Sequence, residues 1–398
     1  MCCFLVPEKV INEIIVFYGI QFKFEYELKC YLKNIMLIKN IKIRNNIKYC
    51  PDKEEITNNK IICISSIAKF YQIKDYSLFL RLNKELYPNL RKNIFLNLLS
   101  DEKLSINSHL LLWKEYLKIE KFKKEFKYKD IKELIYISPD KDTINEELGE
   151  SKNINVIEKD LLRTKFISQN KDKLKILKTI LISFLFLFPK IGYCQGMHYI
   201  VSFLYQILDY NEEETFYYFC GFELNTKYHE IFEDDFNTLK TYCNVFEKIL
   251  NINWPEIHYK FIDCHILPNL YLFSWFITIF SDYAYIFDKN NLPKFSFFIF
   301  EKFIIEGWSV IFNIGFTILE YCHDKLLSLD KEKLMFYIMN ILDKEDIIKN
   351  ENFETIKRLY MKNSKFINEF SINTLIEITK YEEKNKNLNE NIDLMGKY

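Results

Sequence analysis

The chain has 398 residues, 49% of them apolar and 17% aromatic, with 55 basic residues balanced by 55 acidic ones. This composition lies on the globular side of the disorder boundary and suffices for one large core or two ordinary ones. Zero net charge removes the electrostatic case for nucleic acid, whose affinity rests on phosphate neutralisation by Lys and Arg.

Taken in chain order, residues 1–75 lack a sustained hydrophobic period and are rich in Asn and Lys, so they read as an appendage or linker. Cys2 and Cys3 at its start offer acceptors for a lipid, against the simpler reading of burial or disorder; peripheral association with a membrane stays open. The ten cysteines include no CxxC pair and the six histidines no HxxxH-type set, so no metal is expected. Without a signal peptide ahead of them, the cysteines fit a reducing cytoplasm.

The charged stretch 118–133 reads as a solvated helix face, with Phe122 and Phe126 at i and i+4. Residues 138–155 read as a loop able to touch a partner. Beyond them the 3.6-residue period predicts helices over Lys173–Phe188, Gly196–Leu208, Glu213–Phe222, Phe236–Leu250, Asn269–Phe280, Phe295–Ile305, Trp308–Cys322, Lys331–Ile341 and Ser371–Tyr381. Asn211 before three glutamates is a start signal, and Pro255 and Pro293 suit first-turn positions. Eight glycines and eight prolines are too few for the turns of an all-β protein, so the fold class is all-α. The run Ile180–Phe188 stops at Pro189, short of the roughly 20 residues a membrane span needs, and a soluble protein is expected. Neither GxGxxG nor GxxxxGK[ST] occurs, so no nucleotide cofactor of its own is expected.

Two polar groups stand out. Gln195 lies in IGYCQGM, residues 191–197, between Gly192 and Gly196 and between two apolar helices, in or beside an interhelical turn. A carboxamide there can hold a water while donating to a phosphate oxygen, or simply satisfy nearby backbone groups. Asp160 and Arg163 in NVIEKDLLRTKF fall at i and i+3, on one face of a helix, where the acid can direct the guanidinium. A surface ion pair is the simpler reading of that pair alone. Together, arginine and glutamine are the groups that complete a GTP-hydrolysis site: a cation for the transferring phosphoryl oxygens and an amide for the attacking water.

At this point the chain resembles a family. LYPNLRKNIFLNLL (86–99), VIEKDLLRT (156–164), IGYCQGMHYIVSFL (191–204), NLYLFSWFITIFS (269–281), LPKFSFFIFEKFIIEGWSVIF (292–312) and TLIEITKY (374–381) resemble, in order, the motifs of the TBC domain of GTPase-activating proteins for Rab GTPases. The resemblance covers about residues 80–382 and implies an all-α TBC domain of two helical lobes over 76–385, between the appendage 1–75 and a polar tail 386–398. It implies Arg163 as arginine finger and Gln195 as glutamine finger. Asp160 would orient Arg163, Tyr193 and Gly196 would support the glutamine turn, and Arg91 would support the first motif. The implied partner is a GTP-bound Rab-family GTPase that carries GTP and Mg²⁺ itself; the implied setting is the cytoplasm or the periphery of endomembranes, in vesicle trafficking.

The chain departs from the family at Phe95, where Trp is usual, and at Phe298-Ile299-Phe300-Glu301, where R-I-W-D is usual. The lost arginine questions stability and positioning. It also keeps a second reading alive, a catalytically inactive TBC scaffold that binds a GTPase or trafficking partner, and a third, a helical scaffold unrelated to GTPases.

Overall fold

The computed structural model describes residues 105–137, 152–164, 170–284, 293–344 and 350–395. Arg91, Phe95 and residues 1–75 lie outside them, as does most of the 138–155 loop. The regular elements among the described residues are all helical, and no helix there is long and apolar enough to cross a membrane. Residues 1–115 and 116–398 separate into two compact units. Helix α1 (Ile106–Tyr116) supplies most of what is described of the first.

The second unit holds two groups of helices. In the first, α5 (Lys171–Leu187), α6 (Met197–Ile207) and α7 (Glu212–Thr226) touch one another. On them lie α2 (Ile119–Glu125), α3 (Tyr128–Ile137) and α4 (Lys152–Leu161). In the second group, α8 (Asn237–Asn253) packs on α9 (Pro255–Asp263), α10 (Asn269–Thr278) and α17 (Glu369–Met395). There α12 (Ser309–Tyr321) packs on α11 (Lys294–Glu306) and α16 (Asn350–Asn363). The groups meet where α6 touches α10 and the 3-10 turn Ser281–Tyr283.

The helix starts follow local chemistry. Asn170, Asn211 and Asp330 each stand one residue before a helix, and their side-chain oxygens accept the N–H of Lys173, Glu214 and Lys333 at 3.0 Å. Such a cap stabilises a helix by about 1 kcal/mol. Pro255 occupies the first turn of α9, whereas Pro293 stands one position ahead of α11.

The charged stretch differs from its expectation. It is two helices, because Phe126 is extended (φ −130°, ψ 135°) between α2 and α3. One phenol fixes the break: Tyr217 Oη donates to Phe126 O at 2.9 Å and accepts from Tyr128 N–H at 3.1 Å. The face is also less solvated than a free stripe, since Lys123 pairs with Glu214 and Lys132 with Glu212 at 2.6 Å.

Several helix ends differ as well, those of α10 and α17 among them. Helix α10 stops at Thr278 because Ile279 and Phe280 both adopt left-handed backbone (φ 49° and 56°) while fully buried. Side-chain burial offsets what that conformation costs, roughly 1–2 kcal/mol per residue. Helix α17 runs on to Met395, through the stretch read as a polar tail.

Aromatic rings fill the interior. Phe300 of α11 stacks on Phe222 of α7 at 4.6 Å and meets Phe203 of α6 at 4.9 Å, so it braces α6 from behind. Phe298, where the resemblance leads to the expectation of an arginine, meets Phe353 and Tyr360 of α16 edge-on, at 5.7 and 5.4 Å. A ring therefore fills an aromatic seam there, each such contact adding about 0.5–1.5 kcal/mol beyond burial.

Candidate functional site

Helix α4 has one apolar face, Ile157 and Leu161, and Asp160 and Thr164 fall on that same buried side. Burial of the helix thus carries a carboxylate inward while Arg163, in the next turn, stays at the rim. The Asp160 side chain is 3% exposed and that of Arg163 60%, with Arg163 Nη1 3.3 Å from Asp160 Oδ1. A nearly buried anion gives the guanidinium a fixed anchor on one side and leaves its other side to solvent.

The other carboxylate oxygen is taken from a second element. Tyr193 Oη lies 3.0 Å from Asp160 Oδ2 and 3.1 Å from His198 Nδ1. Asp160 is therefore shared between the arginine and the segment that carries Gln195. Tyr193, expected to support the turn by packing, also does so through its hydroxyl. Burial, and then the Asp160 charge, push its ionisation upward, so the phenol keeps its proton.

Between Pro189 and α6 the chain makes a tight turn. Gly192 and Gly196 have φ of +70° and +118°, and Met197 N–H closes onto Cys194 O at 3.1 Å. A Cβ on Gly196 would lie 2.2 Å from Ile277 Cγ2, so only glycine lets the turn sit against α10. Ile277, the residue Gly196 meets, is itself held by Tyr228 Oη, which donates to Ile277 O. Gln195 is exposed at the head of this turn. Among the described residues its carboxamide meets no hydrogen-bond partner.

Thus Asp160, Arg163 and Tyr193 form one cluster, Gly196 seats the turn, and Gln195 stands exposed in that turn, between Tyr193 and Gly196. Arg91 cannot be placed, lying outside the described residues.

Two neighbours were not singled out from the sequence. His198 is 1% exposed, and burial together with the Arg163 charge depresses its pKa to about 3. Its signal was the lack of a Ser, Thr, Asn or Asp at the start of α6, which leaves first-turn N–H groups in need of an acceptor. Glu223 of α7 is fully buried, and neither carboxylate oxygen has a hydrogen-bond partner among the described residues. Burial lifts its pKa well above the carboxylate range. Cys194 sits near it, its thiol pushed up to about 12 by burial, then by Glu223 and Asp160. A thiol so raised is no nucleophile at neutral pH.

The exposed polar groups described for the cluster and its turn include a cation, Arg163, and an amide, Gln195. A guanidinium is chemically able to stabilise developing negative charge, and a carboxamide to orient a water.

The family model described as the Rab-GTPase-TBC domain matches residues 88–327. The chain is 26% identical over 193 residues to the human ecotropic viral integration site 5 protein homolog, covering 47% of this chain and 23% of that protein. It is 25% identical over 207 residues to the GTPase-activating protein GYP5 of Saccharomyces cerevisiae, covering 52% and 22%. It thus spans under a quarter of these relatives' length. Among solved structures, the Chlamydomonas flagellar RabGAP TBC domain superposes with a TM-score of 0.51 at 14% identity, over 80% of this chain and 97% of that one. The Ypt/Rab-GAP domain of Gyp1p gives 0.53 at 14%, over 69% and 91%.

Proposed function

Because this chain belongs to the Rab-GTPase-TBC domain family, we propose that it accelerates GTP hydrolysis by a Rab-family GTPase, lending Arg163 and Gln195 to a site the GTPase carries. The GTPase brings GTP and Mg²⁺. Arg163 offsets the charge that spreads over the γ-phosphoryl oxygens, and Gln195 holds the attacking water in line. Neither residue forms a covalent bond. Support comes above all from the shared carboxylate of Asp160, which anchors Arg163 on one oxygen and the Gln195 turn on the other. A guanidinium and an amide-bearing turn anchored on one buried acid lower the reorganisation needed when charge develops. The setting we infer is membrane trafficking, with the protein cytoplasmic or peripheral on endomembranes.

An arginine finger contributes on the order of 10³–10⁵ in rate, about 4–7 kcal/mol of transition-state stabilisation. The test is single-turnover GTP hydrolysis across a panel of Rab proteins with wild type, Arg163→Lys and Gln195→Ala. Lysine keeps the charge and loses the planar fork, so Arg163→Lys should lower the stimulated rate at least about tenfold. An unchanged rate would remove Arg163 from the mechanism.

A second reading rests on Phe298, which puts a ring where the family carries an arginine. On that reading the domain is a scaffold that binds GTP-loaded Rab without hydrolysis. Saturable GTP-dependent binding with no rate increase on any member of the panel would establish it.

A further inference from the structure

Helix α6 starts without a side-chain cap of the usual kind. Its first-turn chemistry comes from within instead. Gly196 N–H points at His198 Nδ1 at 3.3 Å, and the same nitrogen lies 3.1 Å from Tyr193 Oη. A backbone N–H only donates, so this contact requires a lone pair on Nδ1 and puts the imidazole proton on Nε2, which is buried with no hydrogen-bond partner among the described residues. The single phenol proton of Tyr193 is then shared between Nδ1 and Asp160 Oδ2, 3.0 Å away. One nitrogen thus reaches both shoulders of the four-residue turn 193–196, with Gln195 between them.

The chain of contacts continues through Tyr193 to Asp160 and from Asp160 to Arg163 at 3.3 Å. Only an imidazole with Nδ1 unprotonated closes it, because a proton on Nδ1 would face the Gly196 N–H. Burial and the Arg163 charge keep the ring neutral. Tyr199 lies against the ring at 4.0 Å between centroids and limits its rotation.

We propose that His198 is a positioning residue: its Nδ1 clamps the turn that carries Gln195 and couples that turn, through Tyr193 and Asp160, to Arg163. It touches neither nucleotide nor water. This inference rests on the reading of the site as a GTPase activator and adds a residue through which its two exposed groups are held in mutual register.

The experiment uses a Rab on which the wild type is active. His198→Phe keeps ring volume and deletes the acceptor. His198→Asn places an oxygen one bond beyond Cγ, where Nδ1 stands. His198→Phe should lower kcat at least about tenfold with KM for the GTP-bound Rab within about twofold, and His198→Asn should recover most of the loss. Equal kcat for His198→Phe and wild type, or a loss confined to KM, would overturn the clamp.

Should His198→Phe fail to fold, the wild type and His198→Asn decide by ¹⁵N shifts of labelled histidine. An unprotonated Nδ1 with a protonated Nε2, unchanged from pH 8 to 5, supports the clamp; a protonated Nδ1 overturns it. That spectrum needs no Rab. A wild type inactive on every Rab therefore defeats the activator reading alone, while the tautomer still judges the contact.

Discussion

Replacing Glu223 by glutamine should remove a slope from the dependence of stability on pH. The carboxyl is 0% exposed, and neither oxygen has a hydrogen-bond partner among the described residues. His229 Nδ1 approaches Oε2 only to 4.0 Å, too far for a hydrogen bond. Burial holds the folded-state pKa well above the ordinary value of 4.5. The unfolded chain sheds this proton near its ordinary pKa while the folded chain keeps it. Above that point the unfolded state binds fewer protons, so this group's contribution to stability falls as pH rises and levels off above the folded pKa. The slope is about 1.4 kcal/mol per pH unit over the range in which only the folded group holds its proton. Among the groups that feel Glu223, the thiols of Cys194 and Cys220 and the phenol of Tyr228 are all shifted upward. They keep their protons in this window, and His229 is common to both proteins. Urea unfolding of wild type and Glu223→Gln at pH 5.5, 6.5 and 7.5 gives the difference directly. It should move in favour of the variant as pH rises, by at most about 1.4 kcal/mol per pH unit. The amide's own unsatisfied hydrogen bonds shift the offset between the curves and leave that trend intact. Parallel curves would refute the reasoning, since they would mean that the folded protein carries the charged carboxylate.

Gly196→Ala should cost about 2 kcal/mol or more in urea unfolding, because left-handed backbone and a Cβ 2.2 Å from Ile277 add. Gly192→Ala, with φ +70° and nothing within 4 Å of its Cβ, should cost only about 1–2 kcal/mol. Phe300→Ala opens a cavity between α6, α7 and α11 and should lower stability by about 3–5 kcal/mol. The stimulated hydrolysis rate of that variant, measured where it remains folded, reports how far bracing of α6 reaches Gln195.

Helix existence was legible wherever spacing and caps agreed: Asn211 does accept from Glu214 N–H, and α7 overruns its expected end by four residues. Helix α16 went unread although Phe353, Ile356 and Tyr360 form its buried stripe, because NENFETIKRLYMKN is polar on average. The left-handed pair Ile279 and Phe280 gave no sign, since no glycine marks it and tertiary burial compensates it. The break at Phe126 depends on a hydroxyl 91 residues away. In the site, Asp160 and Arg163 were legible as an i, i+3 pair. Gln195 was legible as a polar residue between glycines. His198 was not, because its partner Tyr193 matters only once Asp160, 33 residues earlier, has been brought beside it.

The ring at position 298 has a consequence for how this domain responds to its ionic surroundings. Dispersion and ring quadrupoles at Phe298, Phe353 and Tyr360 are indifferent to dissolved salt, whereas exposed charges lose their reach within about 8 Å at physiological ionic strength. Added electrolyte therefore acts directly on the exposed guanidinium of Arg163 and leaves the aromatic seam at Phe298 untouched.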